Sequence, residues 1–269
     1  MLISGVAPLV DPLVVITGAG SGLGRAMAAS FCRKGIPVVG FGRSPSTLGQ
    51  AEDSIASAIF TAMVVNVADE DAVKLAFRTL RERHGDPSIL INNAAVYPHR
   101  DFMEESGTTF MQTLAVNLGG VVNCSRAVLD TMTISGRGRI VNVGSFAGQA
   151  PTPAGSAYSV SKGAARIFTQ ALVADVADRF PDIVVSTWMP GVLNTQMGLA
   201  NGLDPDIAAE WGVDLAMRND RSLNGAEFER NTEILPSRSA KRRVLDAVLR
   251  RRPAPARILG QFTAEPKAA

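Results

Sequence analysis

Thr17-Gly18-Ala19-Gly20-Ser21-Gly22-Leu23-Gly24 follows directly on the apolar run Leu13-Val14-Val15-Ile16, and a helical pattern, Gly22–Lys34, begins before the glycines end. A β-branched run, a glycine-rich turn and a helix, in that order, read as the opening of a βαβ unit. Glycines at these places let the backbone turn sharply and come close to a pyrophosphate, whose charge would sit at the helix N-terminus. A glycine-rich turn that holds no ligand is the plainer reading of the same residues. Either way the turn points to a parallel sheet.

Outward from the turn the alternation continues. Near-continuously apolar runs at Leu13–Thr17, Pro37–Phe41, Phe60–Val65, Ser88–Asn92, Arg139–Gly144 and Ile183–Trp188 read as strands buried on both faces. Helical stretches separate them at Gly22–Lys34, Ser46–Ala56, Asp69–His84, Thr108–Thr133 and Ser156–Arg179. The pattern predicts an α/β fold, a doubly wound parallel sheet with helices on both faces joined by right-handed crossovers. One domain is expected over residues 1–269, with a core at 12–195, a substrate lid at 196–222 and a C-terminal extension at 232–269. The lid grows from the loop Pro190–Leu203, which follows a strand's carboxyl end and carries scattered apolar residues before an acidic helix start at Asp204–Asp206. A last strand is expected near Asn224–Glu229, with Ala256–Gly260 as its rival, and Ser237–Arg252 has the spacing of an amphipathic helix.

Composition narrows the function classes. Of 269 residues 46% are hydrophobic and 19% charged, enough apolar content for a sizeable core and too little charge for a disordered chain. Lys plus Arg number 27 and Asp plus Glu 25, so the net charge of +2 gives no global reason to expect nucleic acid or a membrane as partner. Cys32 and Cys124 form no CxxC, and the histidines are His84 and His99, so neither a disulfide framework nor a metal site is expected. Met1 to Asp11 has no basic leader region and no apolar run reaches the roughly 18 residues of a membrane span, so a cytoplasmic location is expected. The basic cluster Arg238, Lys241, Arg242, Arg243 and Arg250-Arg251-Arg252 interleaves with Val244–Leu249 and has no aromatic residues to stack bases, so it reads as a solvated helix face.

Several segments then fall in one order. The turn has the form TGxxxGxG; Asn92-Asn93-Ala94-Ala95 follows the fourth strand; Asn117 sits mid-helix; Ser145 precedes Tyr158 by thirteen residues; Tyr158-Ser159-Val160-Ser161-Lys162 is a YxxxK; and Pro190-Gly191-Val192-Leu193-Asn194-Thr195 is a PGxxxT. Together, over roughly residues 13–195, these resemble the short-chain dehydrogenase/reductase family. The resemblance implies a Rossmann-type fold and hydride exchange between a nicotinamide cofactor and an alcohol or carbonyl. It also implies a catalytic set of Asn117, Ser145, Tyr158 and Lys162, with Asn117 holding a water that links Lys162 to solvent. Cofactor contacts would come from Gly18, Ser21, Gly22, Leu23, Gly24, Arg43, Asn66, Val67, Asn93, Ala94, Tyr158, Lys162, Pro190, Gly191, Leu193 and Thr195. Two departures stand out: Asn66-Val67 replaces the usual Asp–Val, and Ala95 replaces a glycine.

Physical chemistry reaches the same pair independently. Residues four apart share a helix face, which puts Lys162 beside Tyr158. A free phenol titrates near 10, and an ammonium about 4 Å away is worth ~4 kcal/mol at an effective dielectric of 20, so Lys162 is expected to lower Tyr158 toward neutrality. At the end of the second strand Gly42-Arg43-Ser44 offers a guanidinium and a hydroxyl where an NAD-binding site would place a carboxylate. This favours NADP(H), with NAD(H) as the other cofactor. A pocket lined by Val96–His99, Phe146–Pro151 and Val192–Leu203 carries little fixed charge and suits a neutral ketone or secondary alcohol as small-molecule partner. The family resemblance further implies a homodimer or homotetramer through Thr108–Thr133 and Ser156–Arg179. The competing reading is a catalytically idle cofactor sensor or a macromolecule-binding protein.

Overall fold

The computed structural model describes residues 9, 11–218, 220–235 and 255–260. Its strands are β1 (Val14–Thr17), β2 (Val38–Gly42), β3 (Phe60–Val64), β4 (Ile89–Asn92), β5 (Arg137–Val143), β6 (Asp182–Met189), β7 (Glu227–Glu229) and β8 (Thr232–Ile234). They form a single sheet in the order β3-β2-β1-β4-β5-β6-β7-β8, parallel except for the β7–β8 pair. The chain steps outward from β1 to β3 and then returns to lay β4 on the other side of β1. The resulting switch point, at the carboxyl ends of β1 and β4, is where open α/β sheets bind ligands.

Strand alternation explains why the runs are apolar throughout. In β1, Val14 and Ile16 pack into a layer with α1 (Gly22–Arg33), α2 (Pro45–Ile55) and α7 (Pro205–Met217). Val15 points the other way, toward α3 (Glu70–His84), α5 (Gly120–Ser135) and α6 (Ser156–Val176). β3 is the exception among the expected strands: it lies at the sheet edge and Val64 is 62% exposed.

Most boundaries move by one to three residues, and four differences go further. The expected helix Thr108–Thr133 is α4 (Gly107–Leu114), a π-helical turn at Ala115–Gly119, and α5. The expected last strand survives as the short β7, parallel to β6, but the sheet goes on to β8, which no alternation announced. The rival segment also joins: Ile258 bridges to Thr232, and Arg257 pairs with Glu233 and Asp220. The expected lid at 196–222 divides, because α7 lies within it and buries Ala208, Ala209, Val213, Leu215 and Ala216 against the core. What remains as a surface loop is 190–203, closed on itself by Asn194 N–H to the Leu203 carbonyl (2.8 Å) and Leu203 N–H to the Val192 carbonyl (2.9 Å). The amphipathic segment Ser237–Arg252 lies outside the described residues. Among the described residues, no helix is long and apolar enough to cross a membrane, and no group of three or more His, Cys, Asp or Glu could hold a metal ion.

Candidate active site

The glycine turn is shaped by close approach. Gly18 has φ +69°, and a Cβ there would meet the Ala94 Cα at 2.9 Å; a Cβ on Gly24 would lie 2.1 Å from the Gly18 carbonyl oxygen. No side chain fits at either place. Asn93 ties the turn to β4: its Nδ2 donates to the Thr17 carbonyl (2.9 Å), while Thr17 Oγ1 accepts from the Asn93 and Ala94 N–H groups (2.9 Å each). Asn93 and Ala94, expected as cofactor contacts, thus hold the turn in shape. Ser21 precedes α1 without a side-chain cap, and no acidic residue occupies that helix's first turn. By contrast Ser44, Asp69, Ser106 and Asp204 cap α2, α3, α4 and α7. The N–H groups at the start of α1, from Gly22 and Leu23 onward, therefore suit an anionic ligand such as a dinucleotide's diphosphate.

Arg43 stands exposed just past β2 and makes no hydrogen bond or ion pair with another described residue. The Ser44 hydroxyl caps α2 by accepting from Thr47 N–H (3.4 Å) and shares a hydrogen bond with Ser46 (2.9 Å). A Cβ on Gly42 would sit 2.9 Å from Leu48 Cδ2 and 3.0 Å from its Cγ, so Leu48 fills the space that an acidic side chain at 42 would need. On the far side of β2, Asn66 Oδ1 accepts from Ala68 N–H (3.2 Å), and Val67 is buried with its carbonyl held by Asn123 (3.0 Å).

Ser145, Tyr158 and Lys162 come together beyond β5. The Ser145 hydroxyl accepts from Ala147 N–H (3.2 Å), capping the short helical turn Phe146–Gly148, and it faces the Tyr158 phenol, whose charged form it favours. That turn presses directly on α6: a Cβ on Gly148 would meet the Gly163 nitrogen at 2.7 Å. Lys162, one helical turn past Tyr158 and 4% exposed, donates from Nζ to the Val143 carbonyl (2.7 Å) and stands 5.9 Å from the Tyr158 ring centroid. Burial pulls Lys162 down to about 8. Burial also pushes the Tyr158 phenol up, with the Ser145 hydroxyl facing it acting the other way. This corrects the expected lowering of Tyr158 by Lys162. Desolvation acts against both charged forms, and the ammonium is directed at a backbone carbonyl.

Asn117 lies at the centre of the π turn and is fully buried. Its Oδ1 accepts from Val96 N–H (2.8 Å), and its Nδ2 donates to the Val96 carbonyl (2.9 Å) and to Ser161 Oγ (3.0 Å). Ser161 in turn donates to the Tyr158 carbonyl (2.7 Å). Asn117 thereby joins the loop after β4 to the helix that carries Tyr158, where the resemblance implied a water link to Lys162. Tyr97, expected only among the pocket-lining residues Val96–His99, stacks its ring on that of Tyr158 at 4.2 Å and 17°.

The loop 190–203 reaches back over the glycine turn. Pro190 and Leu193 are buried, Gly191 has φ +90°, and the Thr195 methyl lies 3.2 Å from where a Gly22 Cβ would be. A cavity of about 540 Å³ opens on the outer flank of this contact, between Arg25, Arg33, Asn194 and Gln196, away from Tyr158.

Residues 12–204 match the family model of the short chain dehydrogenases. The chain belongs to this family. This short-chain dehydrogenase is 36% identical over 207 residues to a protein named probable oxidoreductase EphD of Mycobacterium tuberculosis, covering 76% of this chain and 35% of that protein. The chain thus spans about a third of the length of its mycobacterial relatives. It is 33% identical over 199 residues to galactitol 2-dehydrogenase (L-tagatose-forming) of Cereibacter sphaeroides, covering 73% of this chain and 77% of that enzyme. Against the 3-oxoacyl-[acyl-carrier-protein] reductase FabG of Haemophilus influenzae, identity is 29% over 185 residues, with 69% and 75% covered.

Proposed function

We propose that this short-chain dehydrogenase is an NAD(P)(H)-dependent oxidoreductase that interconverts an alcohol and a ketone or aldehyde, with Tyr158 as acid and base. The observation that carries this reading is the convergence of Ser145, Tyr158 and Lys162 beside a glycine turn whose helix begins uncapped. The backbone of Gly18, Ser21, Gly22, Leu23 and Gly24 would cradle the diphosphate, Asn66 and Val67 the adenine, Lys162 and Tyr158 the ribose, and Pro190, Gly191, Leu193 and Thr195 the nicotinamide. When bound, the cofactor supplies or accepts the hydride. Ser145 donates a hydrogen bond to the substrate oxygen, and Tyr158 delivers a proton to that oxygen in reduction or removes it in oxidation. Lys162 lies on the same helix face, one turn away, and places positive charge beneath the phenol once its Nζ leaves the Val143 carbonyl. A cofactor sensor would have no use for this set. Cofactor absorbance followed with a panel of neutral ketones and secondary alcohols tests the reading; tight nucleotide binding without turnover of any compound would overturn it.

For the cofactor, Arg43 is the deciding side chain. An exposed guanidinium without a partner among the described residues, beside the start of α2, suits a 2′-phosphate, and Leu48 fills the space that a ribose-binding carboxylate at 42 would take. A charge-assisted contact of about 1.5–3 kcal/mol corresponds to roughly a ten- to hundredfold preference for NADP(H) over NAD(H). Arg43→Ala is expected to erode that preference through KM, with kcat nearly unchanged. Gly42→Asp alone should not install NAD(H) preference, because the new Cβ meets Leu48; Gly42→Asp with Arg43→Ala and Leu48→Ala should. Equal kcat/KM for both cofactors in the unmodified enzyme would remove this role of Arg43.

The substrate best suited to the site is a neutral ketone or secondary alcohol. The lip of the cleft carries Phe146, Val192 and Leu199, each more than half exposed, and Tyr97 and Thr152 supply hydroxyls. Two relatives are named for galactitol and for a 3-oxoacyl group, neither anionic at the reacting carbon. Val160 and Ile167 stand two turns apart on α6, 50% and 59% exposed, and α4, which packs against α6, exposes Met111; such apolar surface suits a homodimer or homotetramer. Both cysteines are free thiols, which suits a reducing cytoplasm.

A further inference from the structure

The loop between β4 and α4 is fixed at both ends, and one ring hangs between the anchors. At one end both backbone groups of Val96 are held by the buried Asn117 amide (2.8 and 2.9 Å). At the other end, Arg100 N–H donates to the Ala154 carbonyl (2.9 Å), Arg100 bridges to Gly155, and its guanidinium pairs with Glu105 (2.9 Å), whose side chain is 2% exposed. Between them the Tyr97 ring lies nearly parallel to the Tyr158 ring at 4.2 Å, with the His99 ring at 3.7 Å and 29° against Tyr97. The Tyr97 hydroxyl shares a hydrogen bond with Thr152 Oγ1 (3.0 Å), and a Cβ on Gly155 would come within 2.9 Å of that hydroxyl. His99 holds φ +38°, a costly conformation for a residue with a side chain, which persists where its surroundings dictate it.

Tyr158 needs such a partner. It sits in the first turn of α6, which starts from Gly155 with no side-chain cap, and a first turn frays more readily than a helix centre. A side chain has several staggered rotamers to choose from, and a stacked ring disfavours those that break the stack. We propose that Tyr97 is a positioning residue for Tyr158, a ring clamped at both ends of its loop that holds the phenol's plane beside Ser145 and shields one face from water. This rests on the reading of Tyr158 as acid and base. The groups that face Tyr158 are Lys162 from its own helix, Ser145 from the β5 loop and Tyr97; His99 lies behind Tyr97, and Arg100 and Glu105 line the same crevice.

The composition allows a direct test. Tyr97 and Tyr158 are the two tyrosines of the 269-residue chain, so in Tyr97→Phe and Tyr97→Ala the near-ultraviolet phenolate signal of that purified chain reports Tyr158 alone. Tyr97→Phe keeps the stack and should rescue: the Tyr158 midpoint stays high and kcat falls by no more than about threefold. Tyr97→Ala lets water onto the ring, so the midpoint should fall by about one pH unit relative to Tyr97→Phe, and the kcat–pH profile should move with it. In Tyr97→Ala, kcat should drop about tenfold or more, with the cofactor KM unchanged. Tyr97→Leu, which keeps apolar volume without a ring plane, replaces the alanine variant if circular dichroism shows that one unfolded. Equal midpoints and equal kcat in the Phe variant and the Ala or Leu variant would overturn the proposal. An active Tyr158→Phe enzyme would instead overturn the acid–base reading, and the titration would still decide whether Tyr97 shields Tyr158.

Discussion

Tyr158→Phe is expected to lower kcat by about 10²–10⁴-fold, the range that general acid–base assistance covers, while Tm stays near that of the unmodified protein and cofactor affinity falls only by the phenol's share of the ribose contact. Phenylalanine keeps the ring that stacks on Tyr97 and removes only the hydroxyl facing Ser145. No buried charge is left unpaired, because the phenol, pushed up by burial, is neutral through the physiological range. Ser145→Ala should be milder in kcat but cost about 1 kcal/mol of stability, since it also uncaps the turn Phe146–Gly148. The raised phenol sets a direction with pH: reduction needs the protonated form and should fall as pH rises, whereas oxidation needs the phenolate and should rise. Steady-state rates in both directions, with cofactor titrations alongside, check this. A Tyr158→Phe variant within a few-fold of the unmodified enzyme would remove Tyr158 from its role.

What could be read in the sequence is what local chemistry forces. Gly18 and Gly24 admit no side chain, so they stand out as a glycine pattern, and the apolar runs announce strands covered on both faces. Tyr158 and Lys162 share a helix face by spacing alone. The π turn around Asn117 was not legible, because one extra residue changes the register over only five positions and leaves the flanking apolar pattern intact. Nor was β8: Thr232-Glu233-Ile234 is three residues long, two of them polar, and it becomes a strand through pairing with β7 and with Ile258. The largest miss was electrostatic. Spacing put Lys162 next to Tyr158 but carried no information about the Val143 carbonyl, which lies nineteen residues away and receives the ammonium's hydrogen bond.

That misdirected ammonium leads to the expectation that Lys162→Met abolishes turnover and yet stabilises the fold. A lysine 4% exposed, drawn from 10.5 to about 8, carries a charge that the folded state disfavours. At 1.36 kcal/mol per unit, the shift corresponds to an upper limit of about 3 kcal/mol. Methionine fills similar volume without charge, but it leaves the Val143 carbonyl without its donor at a cost of about 1–2 kcal/mol, so the net gain should be about 1–2 kcal/mol. For a chain of this size each kcal/mol moves Tm by about 2–4 °C. The pH dependence separates this from ordinary packing gains. Because the folded-state value lies below the unfolded one, the unfolded chain binds more protons between about 8 and 10.5, and the unmodified protein gains stability as pH rises through that window. Below about 8 the penalty is constant. The Tm advantage of Lys162→Met should therefore be full at neutral pH and shrink steadily above pH 8, as scanning calorimetry across that range would read. A variant less stable than the unmodified protein at every pH would mean that the buried ammonium is stabilised by its surroundings.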